Sequence, residues 1–139
     1  IGAFGEDPVY TINREVIMPS ICSNETLISV QKMLNNVVSK PWGTANNIYD
    51  ENIMIAGKTG TSQIDYTSDE TQYVSSFVGY FPADNPKYSA IVVINKPNKS
   101  KGFYGGLVAA PVFKKVAQKI ITGIPIEIEI SKKDIDILF

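Results

Sequence analysis

The hydrophobic residues of this chain follow a helical period near its start. Between residues 24 and 40, apolar residues recur every three or four positions: Leu27, Val30, Leu34, Val37 and Val38. This spacing predicts an amphipathic helix whose apolar stripe packs on the rest of the domain. Ser23 is a suitable N-cap, and Pro41 disfavours continuing the helix beyond Lys40.

A second helix is predicted from residues 105 to 121. Its apolar face is expected to hold Val112, Val116 and Ile120, with Phe113 and Ala117 beside them. Pro111 fits this helix only if it lies near the first turn, because proline has no N–H to donate. Gly123 is a natural residue for the end of the helix.

Three segments between the helices are predicted to be strands: residues 53–61, 73–81 and 87–95. The last of them has consecutive apolar residues from Ala90 to Ile94, so both of its faces are expected to be covered. Residues 82–86 have the composition of a turn. The polar stretch 63–72 is predicted to be a surface loop, and residues 9–18 an extended arm.

The order of these elements predicts an α+β fold. Strands that follow one another through short connections pair as an antiparallel meander. Helices packed on such a sheet complete a layered domain. We therefore expect an antiparallel sheet of three core strands flanked by helices, with Trp42 as a partly buried anchor in the loop after the first helix.

The composition excludes several classes of function and favours no particular one. The 139 residues are 44% hydrophobic, which is enough for a core, and the net charge of −1 gives no reason to expect a nucleic-acid partner. The sequence contains no run of 18 apolar residues, so no membrane span is predicted, and none of its first residues is interpreted as a signal peptide. The chain has no histidine, which excludes a Ser-His-Asp triad within it.

Metal and thiol chemistry are also not expected. Asp65, Asp69 and Glu70 lack the turn glycine and the spacing of a calcium loop, so a solvated loop is the better interpretation. The single cysteine, Cys22, cannot form an intrachain disulfide and is interpreted as a small buried residue. No cofactor and no metal are predicted.

The candidate chemistry lies at Gly57-Lys58-Thr59-Gly60-Thr61, in the first predicted strand. Glycines in a strand often mark the close approach of a ligand or another backbone. A lysine and two threonines supply one fixed positive charge and two short hydroxyls. This combination suits an anionic, peptide-like ligand lying along the strand.

The tetrapeptide Lys58-Thr59-Gly60-Thr61 resembles the Lys-Thr-Gly motif of penicillin-binding proteins and serine β-lactamases. Further stretches agree in order, namely Gly43-Thr44-Ala45, residues 75–86, residues 91–94 and residues 104–113. The likeness covers roughly residues 16 to 122. This region of the chain resembles the C-terminal part of a class B penicillin-binding protein, a monofunctional transpeptidase.

The resemblance implies a fold and a role for each motif residue. The fold would be part of a penicillin-binding or serine β-lactamase-like transpeptidase fold, and the ligand a peptidoglycan stem peptide ending in D-Ala-D-Ala, or a β-lactam. Lys58 and Thr61 would be catalytic, Lys58 by orienting the proton-transfer network and Thr61 through an oxyanion-hole N–H. Lys58, Thr59, Gly60 and Thr61 would together bind the substrate, with Gly60 letting its backbone lie close.

Two other motifs of the family, the nucleophile Ser-x-x-Lys and Ser-x-Asn, are missing. Ser29-Val30-Gln31-Lys32 has the first spacing, but it lies on the predicted scaffold helix and is rejected as the nucleophile. The chain alone is therefore expected to be inactive, because a covalent mechanism needs nucleophile and base within hydrogen-bond reach. Whether it is an enzyme fragment, a β-lactamase or D,D-carboxypeptidase relative, or a non-catalytic cell-wall interaction domain stays open.

The resemblance also implies partners and a location. Residues 1–123 would be the C-terminal part of the transpeptidase domain, with residues 124–139 a tail of unknown role. The upstream remainder of that domain would be the chain's partner. The protein would work on the periplasmic side of the inner membrane in a bacterial cell envelope, attached only through an N-terminal anchor outside this chain.

Overall fold

The computed structural model describes residues 15–64 and 71–123. These residues form two helices, three strands and one short 3-10 turn. In chain order they are α1 (Asn24–Ser39), the 3-10 turn (Asn46–Ile48), β1 (Ala56–Ile64), β2 (Gln72–Phe81), β3 (Tyr88–Asn95) and α2 (Gly105–Thr122). Residues 15–18 of the expected arm are described; they are exposed and belong to no strand. The rest of the arm, the tail, and the acidic residues of the β1–β2 loop lie outside the described residues.

The three strands form one antiparallel sheet in the order β1-β2-β3. Lys58 of β1 is opposite Val78 of β2, which in turn is opposite Ile91 of β3. β2 is therefore central, whereas β1 and β3 each have one edge without a partner among the described residues. The predicted α+β fold with an antiparallel three-stranded sheet is confirmed.

One face of the sheet carries the core. Phe77 and Phe81 of β2 are fully buried against Phe113 of α2, with ring centroids 4.9 and 5.7 Å from the Phe113 ring. Edge-to-face geometry of this kind adds to the area that the rings bury. The core thus joins α2 to β2, the middle strand of the sheet.

The other face of the sheet is open. Side chains alternate between the two faces of a strand, and Val78, Ile91 and Val93 are 50%, 63% and 55% exposed. The expectation that both faces of the third strand are covered is therefore wrong for the described residues. The consecutive apolar run supplies side chains to both faces, but the described helices pack on only one.

α1 begins as predicted but packs less than predicted. The Ser23 hydroxyl accepts a hydrogen bond from the Thr26 N–H, which caps the helix. Of the expected stripe only Val38 is buried; Leu34 and Val37 are half-buried, and Leu27 and Val30 are exposed. Only the C-terminal half of α1 meets the domain. Trp42, expected to be an anchor, is 74% exposed in the loop that follows.

α2 buries a different face from the predicted one. Its buried side chains are Ala109, Ala110, Phe113 and Ala117, whereas Val112 and Ile120 are exposed. The small alanines let the helix approach the sheet closely. Phe113 is the one large side chain on this buried face, and it packs against the aromatic rings of β2. Pro111 is the seventh helical residue, beyond the first turn, so that expectation is wrong as well. Gly123 ends the helix in the left-handed region, with φ of 64°.

The boundaries of β1 are shifted towards the C-terminus. Residues 53–55 were expected to open the strand, yet Met54 has a φ of +50° and its N–H donates to the Asp50 carbonyl. A turn closed by the Asp50 side chain therefore occupies this stretch. At the other end Gln63 and Ile64, expected in a loop, continue β1 and pair with Tyr73 and Gln72.

Candidate functional site

The motif residues lie on β1, along the edge of the sheet that has no partner strand among the described residues. Lys58 and Thr61 are exposed, while Thr59 and Gly60 are half-buried. Lys58 and Gly60 belong to the open face of the sheet, and Thr59 and Thr61 to the face that α2 covers. An unpaired strand edge offers N–H and C=O groups to an extended ligand.

The Lys58 ammonium folds back over its own strand. Its Nζ donates to the Thr59 carbonyl at 2.8 Å and lies 3.4 Å from the Thr59 hydroxyl oxygen. The positive charge is thus held beside the Thr59 hydroxyl rather than extended away from the strand. A carboxylate placed next to the Thr59 hydroxyl would lie close to the Lys58 ammonium.

Each motif threonine is connected to a different part of the fold. Thr59 Oγ1 lies 2.9 Å from Thr44 Oγ1, in the loop after α1. Thr61 Oγ1 accepts a hydrogen bond from the Gly105 N–H, the first residue of α2, at 3.0 Å. The two hydroxyls are therefore fixed by residues 15 and 44 positions away in the chain.

The start of α2 lies close behind β1 because it is made of two glycines. A Cβ atom on Gly105 would fall on the carbonyl oxygens of Gly60 and Ser76, and one on Gly106 would fall on the Thr44 carbonyl. All three obstacles are backbone atoms, which cannot rotate out of the way. The glycine pair is thus what allows the Gly105 N–H to reach Thr61.

Gly60 differs from the helix glycines in what surrounds it. A Cβ there would meet only the Ser76 hydroxyl within close range, a rotatable side-chain atom. The fold itself therefore needs glycine less strictly at position 60 than at position 105. Space above Gly60 remains for an incoming backbone.

A second set of polar contacts fixes the loop around Thr44. The Asn47 amide donates to the Gly106 carbonyl at 2.9 Å, and the Ala45 N–H donates to the Val37 carbonyl at 3.0 Å. The loop is thereby attached to both α1 and α2, independently of the Thr44 hydroxyl.

Asp50 joins the turn before β1 to the middle of α2. Its carboxylate accepts the Asn52 N–H at 3.0 Å and forms an ion pair with Lys114 at 3.2 Å. The Asn52 N–H first and the Lys114 ammonium second hold the pKa of Asp50 below its ordinary value of 3.8. This carboxylate therefore stays ionised to lower pH than a free one.

The structure places further groups beside the motif residues that the sequence did not single out for the site. Lys58, Thr59, Gly60 and Thr61 are brought together on one edge, as expected from their adjacency. The hydroxyl of Thr44 and the Gly105 N–H join them only through the tertiary fold. Ser29, the rejected nucleophile, is exposed on α1, and Cys22 is a half-buried free thiol.

Two cavities among the described residues lie away from the motif. One of about 220 Å³ is lined by residues including Asn35, Tyr49 and Met54, and one of about 170 Å³ by residues including Tyr73 and Lys96. Neither is lined by Lys58, Thr59 or Thr61. The candidate site is an edge of β1 without a partner strand among the described residues.

The sequence matches the family described as penicillin binding protein transpeptidase domain over residues 5–118. The chain belongs to this family. The match includes α1, all three strands and most of α2, so the motif on β1 lies within the shared region.

Curated relatives of this transpeptidase family agree in length of match and in identity. The peptidoglycan D,D-transpeptidase FtsI of Buchnera aphidicola is 34% identical over 112 residues, covering 79% of this chain and 19% of the relative. Stage V sporulation protein D of Bacillus subtilis is also 34% identical over 112 residues, covering 76% of this chain and 17% of the relative. The chain thus spans less than a fifth of these relatives.

Solved transpeptidase domains have the same fold. The transpeptidase domain of the FtsI4 D,D-transpeptidase from Legionella pneumophila has a TM-score of 0.59 and 36% identity, over 71% of this chain and 36% of that one. The domain from Burkholderia pseudomallei penicillin-binding protein 3 has a TM-score of 0.59 and 32% identity, over 73% and 31%. The chain therefore corresponds to about a third of such a domain.

Proposed function

We propose that this chain is the part of a D,D-transpeptidase that holds the carboxylate end of a peptidoglycan stem peptide. The observation that supports this most is the exposed edge strand β1, which presents one cation and two hydroxyls in a row. The family membership supplies the reaction class, serine acyl transfer on a peptide ending in D-Ala-D-Ala, or on a β-lactam.

Each motif residue has a role in this proposal. Lys58 supplies the positive charge that attracts the carboxylate and orients the proton transfers. Thr59 and Thr61 donate hydrogen bonds to the carboxylate, and such bonds to charged groups contribute about 1.5–3 kcal/mol each. The Thr61 N–H is one donor of the oxyanion hole, and Gly60 admits the ligand backbone.

The nucleophile belongs to the partner in this proposal, the upstream remainder of the same domain. The open face at Val78, Ile91 and Val93 supports this, because monomeric proteins seldom leave a contiguous apolar patch uncovered. The solved relatives are about three times as long as the part that this chain covers. Residues 1–123 would then be the C-terminal part of the domain, and residues 124–139 have no assigned role.

The location follows from the substrate. Stem peptides lie in the bacterial cell envelope, so the protein would act on the extracytoplasmic side of the inner membrane. Among residues 15–64 and 71–123 no helix is long and apolar enough to cross a membrane. Attachment to the membrane would come from an N-terminal anchor outside this chain.

Labelling with a fluorescent penicillin, followed by intact-mass measurement, tests the proposal. The 139-residue chain alone is expected to form no adduct. The full-length protein is expected to form one adduct, at a serine outside this chain. An adduct at Ser29 of the isolated chain would contradict the proposal, and so would a full-length protein that no penicillin labels.

A further inference from the structure

Thr44 is the one hydroxyl outside β1 that contacts a motif hydroxyl among the described residues. Its Oγ1 is 2.9 Å from Thr59 Oγ1, and either atom can be the donor. Thr44 is exposed and lies beside the same strand edge as the motif. Which of the two hydroxyls donates decides whether the Thr59 proton is available to a ligand.

Thr61 shows what an available proton requires. Its Oγ1 accepts from the Gly105 N–H, and an amide N–H only donates. The Thr61 proton is not used in that bond, so it can point towards the strand edge. Thr61 is therefore a ready donor for an anion.

Thr59 has the same arrangement only if Thr44 donates to it. The Lys58 ammonium, 3.4 Å from Thr59 Oγ1, has donors and no acceptor, so it cannot take the Thr59 proton. Among the described residues, Thr44 is the remaining hydrogen-bonded neighbour that can either take this proton or supply its own. Donation by both Lys58 and Thr44 would polarise the Thr59 hydroxyl and strengthen its own bond to a ligand.

We propose that Thr44 is a positioning residue whose hydroxyl donates to Thr59 Oγ1 and so commits the Thr59 proton to an anionic ligand on the β1 edge. The inference rests on the proposed function, since it concerns the same ligand carboxylate. With it, both motif threonines present protons outward, Thr61 through Gly105 and Thr59 through Thr44.

A purely structural role for the Thr44 hydroxyl fits the contacts less well. The loop is already held by the Ala45 N–H on the Val37 carbonyl and by the Asn47 amide on the Gly106 carbonyl. The Thr44–Thr59 bond is exposed to water, where a neutral hydrogen bond adds little to stability. Its effect should therefore show in ligand discrimination.

The test compares benzylpenicillin with its methyl ester, which lacks the negative charge, on the full-length protein. The measured quantity is the ratio of the second-order acylation rates, acid over ester. Thr44→Val keeps the shape of the side chain but removes the donor, and is expected to lower this ratio about three- to tenfold, as for loss of one hydrogen bond. Thr44→Ser keeps the donor and is expected to restore the wild-type ratio.

A double-mutant cycle with Thr59→Val completes the test. If Thr44 acts through Thr59, the Thr44→Val substitution has no further effect on the ratio when Thr59 is already valine. An equal loss of rate with both compounds, or an undiminished effect in the Thr59→Val background, would overturn the inference and leave the proposed function standing. A wild-type protein labelled by neither compound would instead overturn the proposed function, and this inference with it.

Discussion

At the scale of single residues, the site depends on what glycine permits. Gly60 and Gly105 lie back to back, one on the strand that presents the motif and one at the helix start behind it. Only the surroundings of Gly105 are backbone atoms, whereas Gly60 faces a serine hydroxyl that can turn. Stability and ligand access should therefore respond separately to substitutions at the two positions.

We expect Gly60→Ala to keep the fold and lose the ligand. The free energy of unfolding should change by less than about 1 kcal/mol, the range of glycine-to-alanine exchanges in strands. The added methyl group would occupy the space that the proposal gives to the ligand backbone. Labelling of the full-length protein with fluorescent penicillin should fall at least about tenfold, a loss of roughly 1.4 kcal/mol.

Gly105→Ala is the matched comparison for that substitution. Because its methyl group would fall on two carbonyl oxygens, we expect a loss of about 1–3 kcal/mol in the free energy of unfolding. Urea unfolding of both variants distinguishes the two roles. Equal destabilisation by the two alanines would contradict the assignment of ligand access to Gly60 and of stability to Gly105.

At the scale of elements, α2 serves the site by being anchored at both its start and its middle. The start is fixed by Thr61 and Asn47, and the middle by the ion pair of Lys114 with Asp50. Asp50 also closes the turn that leads into β1. One carboxylate thus couples the helix to the beginning of the motif strand.

This coupling predicts an acid dependence of stability. The pKa of Asp50 is lowered in the folded protein, so its contribution is present above the unfolded pKa, about 3.9. The contribution is lost as the pH falls through the lower, folded pKa. Asp50→Asn should therefore melt at a lower temperature than wild type at pH 6, with the difference shrinking below about pH 4.

Thermal melts from pH 2.5 to 7 check this expectation. Glu51→Gln is the control, because it removes a neighbouring exposed carboxylate instead. A difference between wild type and Asp50→Asn that grows towards acid pH would contradict the assignment of the linkage to Asp50.

The limits of sequence reasoning are visible at this scale. Local signals predicted the Ser23 cap, the Gly123 stop and all three strands, because each depends on neighbours within a few residues. The buried face of α2 was misjudged, because side-chain periodicity admits several faces and the tight approach of Ala109 and Ala110 selected one. The edge position of β1 and the contact of Thr44 with Thr59 depend on tertiary pairing, which no local pattern contains.

At the scale of the whole molecule, the residues that the structure describes cover one face of the sheet and leave the other open. The open face joins Val78 of β2 to Ile91 and Val93 of β3. The proposal assigns this face to the upstream remainder of the domain. Exposure of this surface should then promote self-association of the isolated chain, whereas its burial should stabilise the full-length protein.

We expect the double substitution Ile91→Thr and Val93→Thr to have opposite effects in the two contexts. The isolated chain should stay monomeric up to a higher protein concentration, as measured by sedimentation, because exposed apolar area is removed. In the full-length protein it should lower the free energy of unfolding by about 2 kcal/mol or more, as for buried apolar side chains.

Ile121→Thr, at the exposed end of α2, is the control. It should leave the stability of the full-length protein within about 0.5 kcal/mol of wild type. A double variant that is as stable as wild type in the full-length protein would contradict the assignment of the open face to the upstream part.

The outer edge of β1, which no other described residue pairs with, has a second consequence, in self-assembly. A strand that can receive an extended peptide can equally receive the same strand of another copy, and proteins often prevent such stacking with a lysine on the exposed edge. Lys58 is that residue here, so the charge that would attract a ligand also repels a second copy. We expect removal of this charge to favour edge-to-edge stacking of copies, so the assembly state of any variant at this position should be measured together with its labelling.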